Sequence, residues 1–297
     1  MTGALSVALI QLTVGDDPMA NLRDTVPLIR QAAAQGAQFI LTPEATNILS
    51  PDRDWQARVL HPESSDPTLS ALRAEAQAAR IWLLIGSLAL KTDDPDGRFA
   101  NRSFLIDPNG QIAARYDKLH MFDVQISDTE QFRESAAYRP GDRAVVANMD
   151  GVGVGMTVCY DLRFPHLYRH LAQAGAQILT VPSAFNPTTG AAHWETLLRA
   201  RAIETGCFVL APAQAGTHPA PHARGRAPRH SYGHSLVVDP WGRVLSDAGE
   251  SEKVTIVSLD LQDVKRTRLR IPSLNHDRDF LPADNPVRSD DTARHQP

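Results

Sequence analysis

Gly151-Val-Gly-Val-Gly-Met-Thr-Val-Cys159-Tyr-Asp-Leu-Arg-Phe-Pro165 is the stretch from which the rest of the chain can be read. Apolar, β-branched residues with interleaved glycines run up to Cys159, and Pro165 opens residues 166–174, where Leu167, Leu171 and Ala174 recur at helical spacing. The pattern predicts a strand that ends at a cysteine and turns at once into a helix. A side chain on such a turn stands clear of the sheet, with the N–H groups of the helix start beside it. The positive end of the helix would also favour a thiolate. A free cysteine packed as a small hydrophobe fits the same residues, so position alone leaves both readings open.

Outward from this stretch, strands and helices alternate. Residues 5–12 form an apolar run of strand length, and residues 21–34 carry Leu22, Val26, Ile29 and Ala33 at helical spacing, closed by Gly36. A strand over 38–42 delivers Pro43-Glu44-Ala-Thr at its carboxyl end. A helix over 70–79 and a strand over 81–87 follow, then strands over 101–107 and 111–117 joined across Pro108-Asn-Gly110. The second of that pair ends in Tyr116-Asp-Lys118-Leu-His-Met-Phe-Asp123.

Beyond Cys159, the spacing predicts a strand over 176–182 ending in Ser183-Ala-Phe-Asn186, a helix over 193–205 and a strand over 207–212. A hairpin of 231–239 with 243–246 turns at Pro240-Trp-Gly242, and a strand over 253–259 precedes a helix over 260–270. Residues 216–230, dense in Pro, Ala, Arg and His, read as a surface loop. The alternation argues for a single mixed α/β domain over 1–282 with helices on both sides of sheet, followed by a polar tail over 283–297 that has almost nothing to bury.

Composition excludes several classes. The 30 basic and 34 acidic residues leave a net charge of −4 and no clustered basic face for nucleic acid. No apolar run reaches the ~18 residues of a membrane span, and the first residues lack a signal-like core, so a cytoplasmic setting is expected. Cys159 and Cys207 are too far apart for a redox pair or a zinc knuckle, and Cys207, beside Phe208, Val209 and Leu210, reads as core. His218, His222, His230 and His234 lack the spacing of a tight ligand pair, and an Arg-rich loop repels cations. No metal and no cofactor are expected.

Glu44, Lys118 and Cys159 stand at the ends of three separate strands, where the sites of α/β sheets collect. A carboxylate can take the proton of a thiol, and an ammonium can hold the charge that builds on a carbonyl oxygen under attack. Taken singly, Glu44 and Lys118 read equally as solvated surface charges.

In their contexts these residues resemble the nitrilase superfamily of carbon–nitrogen hydrolases. The resemblance rests on Thr42-Pro-Glu44-Ala, Tyr116-Asp-Lys118-Leu-His-Met-Phe-Asp123 and Val158-Cys159-Tyr-Asp-Leu-Arg-Phe-Pro165. It takes in Phe132-Arg-Glu134-Ser, Pro182-Ser-Ala-Phe185, His193-Trp-Glu195, Arg199-Ala-Arg-Ala-Ile-Glu204 and Tyr232-Gly-His-Ser-Leu-Val-Val-Asp-Pro-Trp-Gly242. It implies a four-layer αββα sandwich and a Glu-Lys-Cys triad. Glu44 would be the general base and Cys159 the nucleophile. Lys118 and the backbone N–H of Tyr160 would form the oxyanion hole, and Glu134 would position Lys118. It also implies at least a homodimer.

Residues 172–185, 190–195 and 231–235 resemble the family's small-amidase branch, which implies a small substrate bearing a carboxylate and a terminal amide, with ammonia leaving. Deaminated glutathione is the first expectation, with α-ketoglutaramate or an N-carbamoyl amino acid as alternatives, and a non-catalytic binding module of the same fold as the alternative of another class. Arg163 is the candidate for holding the carboxylate through its planar fork; pairing with Asp161 or with a subunit neighbour is the other reading. Phe185, Asn186 and Thr188 are candidates for lining the pocket.

Overall fold

The computed structural model describes residues 4–281 apart from 129, 224, 226 and 252, and the expected tail over 283–297 lies outside the described residues. Side-chain alternation divides the molecule into layers. In Ala4–Gln11, Leu5, Val7 and Leu9 enter one core cluster and Ala8 and Ile10 another. Phe39–Leu41 and Trp82–Leu90 split the same way, with Leu41 and Leu84 on one side and Ile40 and Leu83 on the other. A strand covered on both faces must be apolar throughout, which is why these runs show no polar alternation.

The first cluster fills the space between two sheets and continues through the second sheet, by way of Val154, Ile178 and Leu210, to Leu167 and Leu198 on helices Pro165–Gln173 and Pro187–Thr205. The second lies between the first sheet and helices Pro18–Ala34 and Pro67–Ala79, which contribute Leu22, Ile29, Leu69 and Leu72. Helix, sheet, sheet, helix: the architecture is the four-layer αββα sandwich.

The first sheet runs in the order Lys253–Asp260, Ala4–Gln11, Phe39–Leu41, Trp82–Leu90, Phe99–Ile106, Ile112–Asp117, with Tyr138–Arg139 beside Phe99 and Ala100. The second runs Val244–Asp247, Leu236–Val238, Phe208–Ala211, Ile178–Thr180, Val152–Met156, Val145–Met149. Each has a parallel centre, through Val7↔Phe39↔Trp82 in the first and Val154↔Ile178↔Phe208 in the second. The outermost strand of the first sheet pairs antiparallel with Ala4–Gln11 along its whole length, from Ala4↔Asp260 to Gln11↔Lys253.

Elements beyond the sequence reading include the short helix Arg53–Val59, the strands Tyr138–Arg139 and Val145–Met149, the hairpin of Asp123–Ser127 with Glu130–Arg133, and the pairing of Ala215–Thr217 with His230–Tyr232. All are short or polar and carry no periodic signal. The last of them frames the 216–230 loop, which is fastened at His218 and His222. The buried His218 sets Nδ1 2.7 Å from the Val14 carbonyl oxygen and Nε2 2.8 Å from Ser231 Oγ. His222 stacks on Trp55 at 4.0 Å and places Nδ1 3.0 Å from Asp16 Oδ1.

The strand end that carries Glu44 rests on a bulge in Trp82–Leu90. Gly86 N–H donates to Thr42 Oγ1 at 3.1 Å and Ser87 Oγ accepts from Ala45 N–H at 2.8 Å. A Cβ on Gly86 would lie 2.1 Å from the Thr42 carbonyl oxygen and 2.4 Å from that of Pro43. Gly86→Ala is expected to lower the unfolding free energy by about 1–3 kcal/mol, the usual cost of forcing an extra carbon into packed backbone. An unchanged denaturation midpoint would show that the turn yields freely.

Candidate active site

Glu44 follows Phe39–Leu41, Lys118 follows Ile112–Asp117 directly, and Cys159 follows Val152–Met156. Carboxylate and ammonium therefore come from the first sheet and the thiol from the second. All three line one cavity of about 400 Å³ together with Glu134, Asn101 and Tyr160.

Lys118 holds the polar side of this cavity together. Its side chain is 2 % exposed, and Nζ donates to Glu44 Oε1 at 2.9 Å and to Glu134 Oε1 and Oε2 at 2.9 and 2.8 Å. Asn101 Nδ2 donates to Glu44 Oε1 at 2.9 Å, and Ala184 N–H donates to Glu44 Oε2 at 2.8 Å. Glu134, in the turn Glu134–Ala136, accepts the Phe122 N–H at 2.7 Å on Oε2. Each carboxylate is thus fixed by the ammonium and by neutral donors at once.

Cys159 sits on an elbow. Its φ of 51° lies in the left-handed region, which costs a non-glycine residue about 1–2 kcal/mol, and its N–H donates to the Pro182 carbonyl at 3.0 Å. The elbow is pinned by Asp161, which is fully buried. Oδ2 accepts from Val158 N–H at 2.9 Å and from Tyr116 Oη at 2.6 Å; Oδ1 accepts from His120 N–H at 3.0 Å and lies 2.7 Å from His120 Nδ1.

The direct strand-to-helix turn expected from the sequence is corrected here. Cys159–Arg163 is a 3-10 turn, and the α-helix begins only at Pro165. The proline ring keeps the preceding residue out of the helical region, and Phe164 sits outside it, with φ −113° and ψ 85°. No α-helix start therefore supports a thiolate. Burial pushes the Cys159 thiol well above its ordinary range, and the neighbouring Glu44 charge and hydrogen bond push the same way, against the weaker opposing charge of Lys118.

Glu44 behaves oppositely. Burial works against its charge, but the Lys118 ammonium, with hydrogen bonds from Cys159 and Lys118, outweighs that and holds the carboxyl down at about 2. Burial works against Lys118 as well, yet the Glu134 and Glu44 carboxylates raise it well above an ordinary lysine. These directions favour a neutral thiol beside a carboxylate and an ammonium in the resting site. Such a set can pass the sulfur's proton to the carboxylate as the sulfur attacks a carbonyl.

Phe185 and Asn186 line the cavity. Asn186 also caps helix Pro187–Thr205, accepting from the N–H groups of Thr188 and Thr189 at 2.9 and 3.2 Å. Thr188 and Arg163 do not line it: Thr189 takes the lining position, and Thr188 faces an adjoining cavity of about 490 Å³ that shares Asn186 and Arg229 with the first. Arg163 lies over the rings of Tyr160 and Phe185, 5.8 and 5.6 Å from their centroids, with a guanidinium nitrogen 3.3 Å from His193 Nδ1. Its expected partner Asp161 is engaged elsewhere.

The cations that do line the cavity besides Lys118 are Arg53, Arg133 and Arg229. Sequence reasoning missed these, along with Asn101 and Asp161. Asn101 is followed by the polar Arg102 and Ser103 in the strand Phe99–Ile106, so nothing in the sequence singled it out.

Residues 6–269 match the family model described as carbon-nitrogen hydrolase, and the chain belongs to that family. It is 37% identical to the deaminated glutathione amidase of Yersinia enterocolitica, across 92% of this chain and 93% of that one. Among solved structures it is similar to the C. elegans NitFhit protein, with 34% identity and a TM-score of 0.84 over 93% of this chain and 66% of the other. It is also similar to a mutant of the amidase from Nesterenkonia sp. AN1, with 28% identity and a TM-score of 0.71 over 90% of this chain and 98% of that one. In that mutant, acrylamide is joined to the active site cysteine by Michael addition.

The electrostatics make a direct prediction. Thiolate ultraviolet absorbance, taken as wild type minus Cys159→Ala, is expected to stay flat from about pH 6 to about pH 9, whereas an activated cysteine titrates below about pH 7.5. A midpoint in the neutral range would mean that the resting state is an ion pair.

Proposed function

We propose that this chain is an amidase that hydrolyses deaminated glutathione through a thioester on Cys159. The observation that carries the reading is the meeting of Glu44, Lys118 and Cys159 in one cavity, with Lys118 Nζ bonded to Glu44. The likeness to a deaminated glutathione amidase across nearly the whole of both chains supports the substrate.

In this reading Glu44 takes the thiol proton as sulfur adds to the amide carbon. Lys118 Nζ and the Tyr160 N–H hold the oxyanion, the latter lying in the first turn of a 3-10 helix, where N–H groups lack helical partners. Glu134 positions Lys118. Glu44 then gives its proton to the departing nitrogen, and later draws a proton from the water that cleaves the thioester.

The expected departure of ammonia is corrected for this substrate: deaminated glutathione is glutathione with a keto oxygen in place of the amino group, so the amine that departs from its scissile amide is cysteinylglycine. Ammonia departs only where the substrate is a primary amide such as α-ketoglutaramate. Charge supports an anionic substrate: Arg53, Lys118, Arg133 and Arg229 line the cavity against Glu44 and Glu134. A complete set of reacting groups argues against the non-catalytic binding module.

Residues 1–282 are taken as one catalytic unit. Pairing with a second copy belongs to the same proposal, supported by the exposed apolar side chains Ile203, Trp241, Leu269 and Ile271. The cytoplasmic setting is supported by two free cysteines, which suit a reducing compartment. Among the described residues no helix is long and apolar enough to cross a membrane.

The test measures α-ketoglutarate release from deaminated glutathione and α-ketoglutaramate, and carbon dioxide release from N-carbamoyl amino acids. Deaminated glutathione is expected to have the highest kcat/KM, Cys159→Ala to lower kcat by about 10⁴-fold or more, and Lys118→Met to lower it by at least about 10²-fold. Turnover by Cys159→Ala, or a wide preference for either alternative substrate, would refute the assignment.

A further inference from the structure

The three cavity arginines stand at different depths. Among the described residues, none of Arg53, Arg133 and Arg229 is paired with a carboxylate. Arg229 is half-buried and fastened by one bond, from Nη2 to the Ala184 carbonyl at 2.9 Å. The Ala184 N–H in turn holds Glu44, and the Arg229 charge acts on Glu44 and on Tyr138, deep in the cavity. Arg53 and Arg133 are exposed. Arg53 is steered by a bond from Nη1 to the Ala136 carbonyl at 2.7 Å, in the turn that begins one residue after Arg133, and its charge acts on the fully exposed Asp96.

A guanidinium carries five donors, and one backbone carbonyl leaves most of them free at each place. An unpaired cation in a half-buried wall is costly unless an anion comes to it. The reaction also gives the cavity a direction. The acyl half must stay on Cys159 as the thioester while the amine half departs, so the acyl half belongs in the depth and the amine half at the opening.

We infer that the site reads a carboxylate at each end of its substrate: Arg229 binds the carboxylate of the acyl half, and Arg53 with Arg133 draws in the carboxylate of the departing amine half. This rests on the amidase reading above and adds to it the residues that choose between substrates. Deaminated glutathione carries both carboxylates, its keto-acid end and its glycine end. α-Ketoglutaramate carries only the first. The deep anchor then serves both substrates, and the rim pair serves one.

The experiment compares kcat/KM for the two substrates in wild type, Arg229→Met, Arg229→Lys and the double variant Arg53→Met/Arg133→Met, with thermal melts to confirm folding. Arg229→Met is expected to lower both values by about 10- to 100-fold, the usual worth of a charge-assisted bidentate bond, with partial recovery in Arg229→Lys. The double variant is expected to lower the ratio of deaminated glutathione to α-ketoglutaramate by about 3- to 10-fold, an effect that shrinks as salt is raised.

A substrate-side control needs no variant. Deaminated glutathione esterified at glycine should lose the same factor on the wild type, and lose nothing further on the double variant. An unmoved ratio in the double variant, or an ester hydrolysed as fast as the acid, overturns the anchor assignment while leaving the amidase reading standing. A wild type that hydrolyses neither substrate removes both.

Discussion

An ammonium group buried between two carboxylates is the constraint around which this site is built. Lys118 reaches the cavity almost wholly removed from solvent, a position that an isolated charge cannot hold. Glu44 and Glu134 make it tenable by offering three oxygen contacts to Nζ, and Lys118 in turn holds Glu44 ionised. None of the three can be removed without stranding the others, and breaking such a buried pair typically costs about 3–5 kcal/mol. The group that would steady an oxyanion is thereby the group that keeps the base charged.

The sulfur is placed by a different device. Glu44 and Lys118 are carried by the first sheet and Cys159 by the second, so the distance between thiol and carboxylate depends on how the two sheets pack through Val7, Leu9, Val154 and Met156. Asp161 links them further, taking Tyr116 Oη from the first sheet and Val158 N–H from the second. A left-handed residue at Cys159 is sustained by that surrounding network, as strained backbone at functional sites generally is.

Much of this was legible in the sequence, for physical reasons that also mark where reading stops. Strands buried on both faces announce themselves as apolar runs, and the ends of those runs located Glu44 and Cys159, whereas Lys118 follows a half-exposed strand legible from its hairpin turn. Glu134 came from resemblance alone, since it lies in a short turn between a polar hairpin and a two-residue strand. The helix over 166–174 was legible from its leucine spacing and Pro165, but the 3-10 turn Cys159–Arg163 that separates it from the strand carries no such period. Arg163 stood out by its nearness to the nucleophile in sequence. Arg229 did not, because its position is set by His218 and His222 docking a Pro-rich loop against residues 14–16 and Trp55. Contacts of that kind leave no period to detect.

The strand that completes the first sheet, Lys253–Asp260, is the last among the described residues and lies against the first, Ala4–Gln11. During synthesis on the ribosome, the layer bearing Glu44 and Lys118 therefore waits with an open edge until residues 253–260 have emerged. Such distant pairing slows folding and makes the hydrolytic centre a property of the finished chain, so that a nascent or truncated copy would carry the reacting side chains without the frame that brings them together.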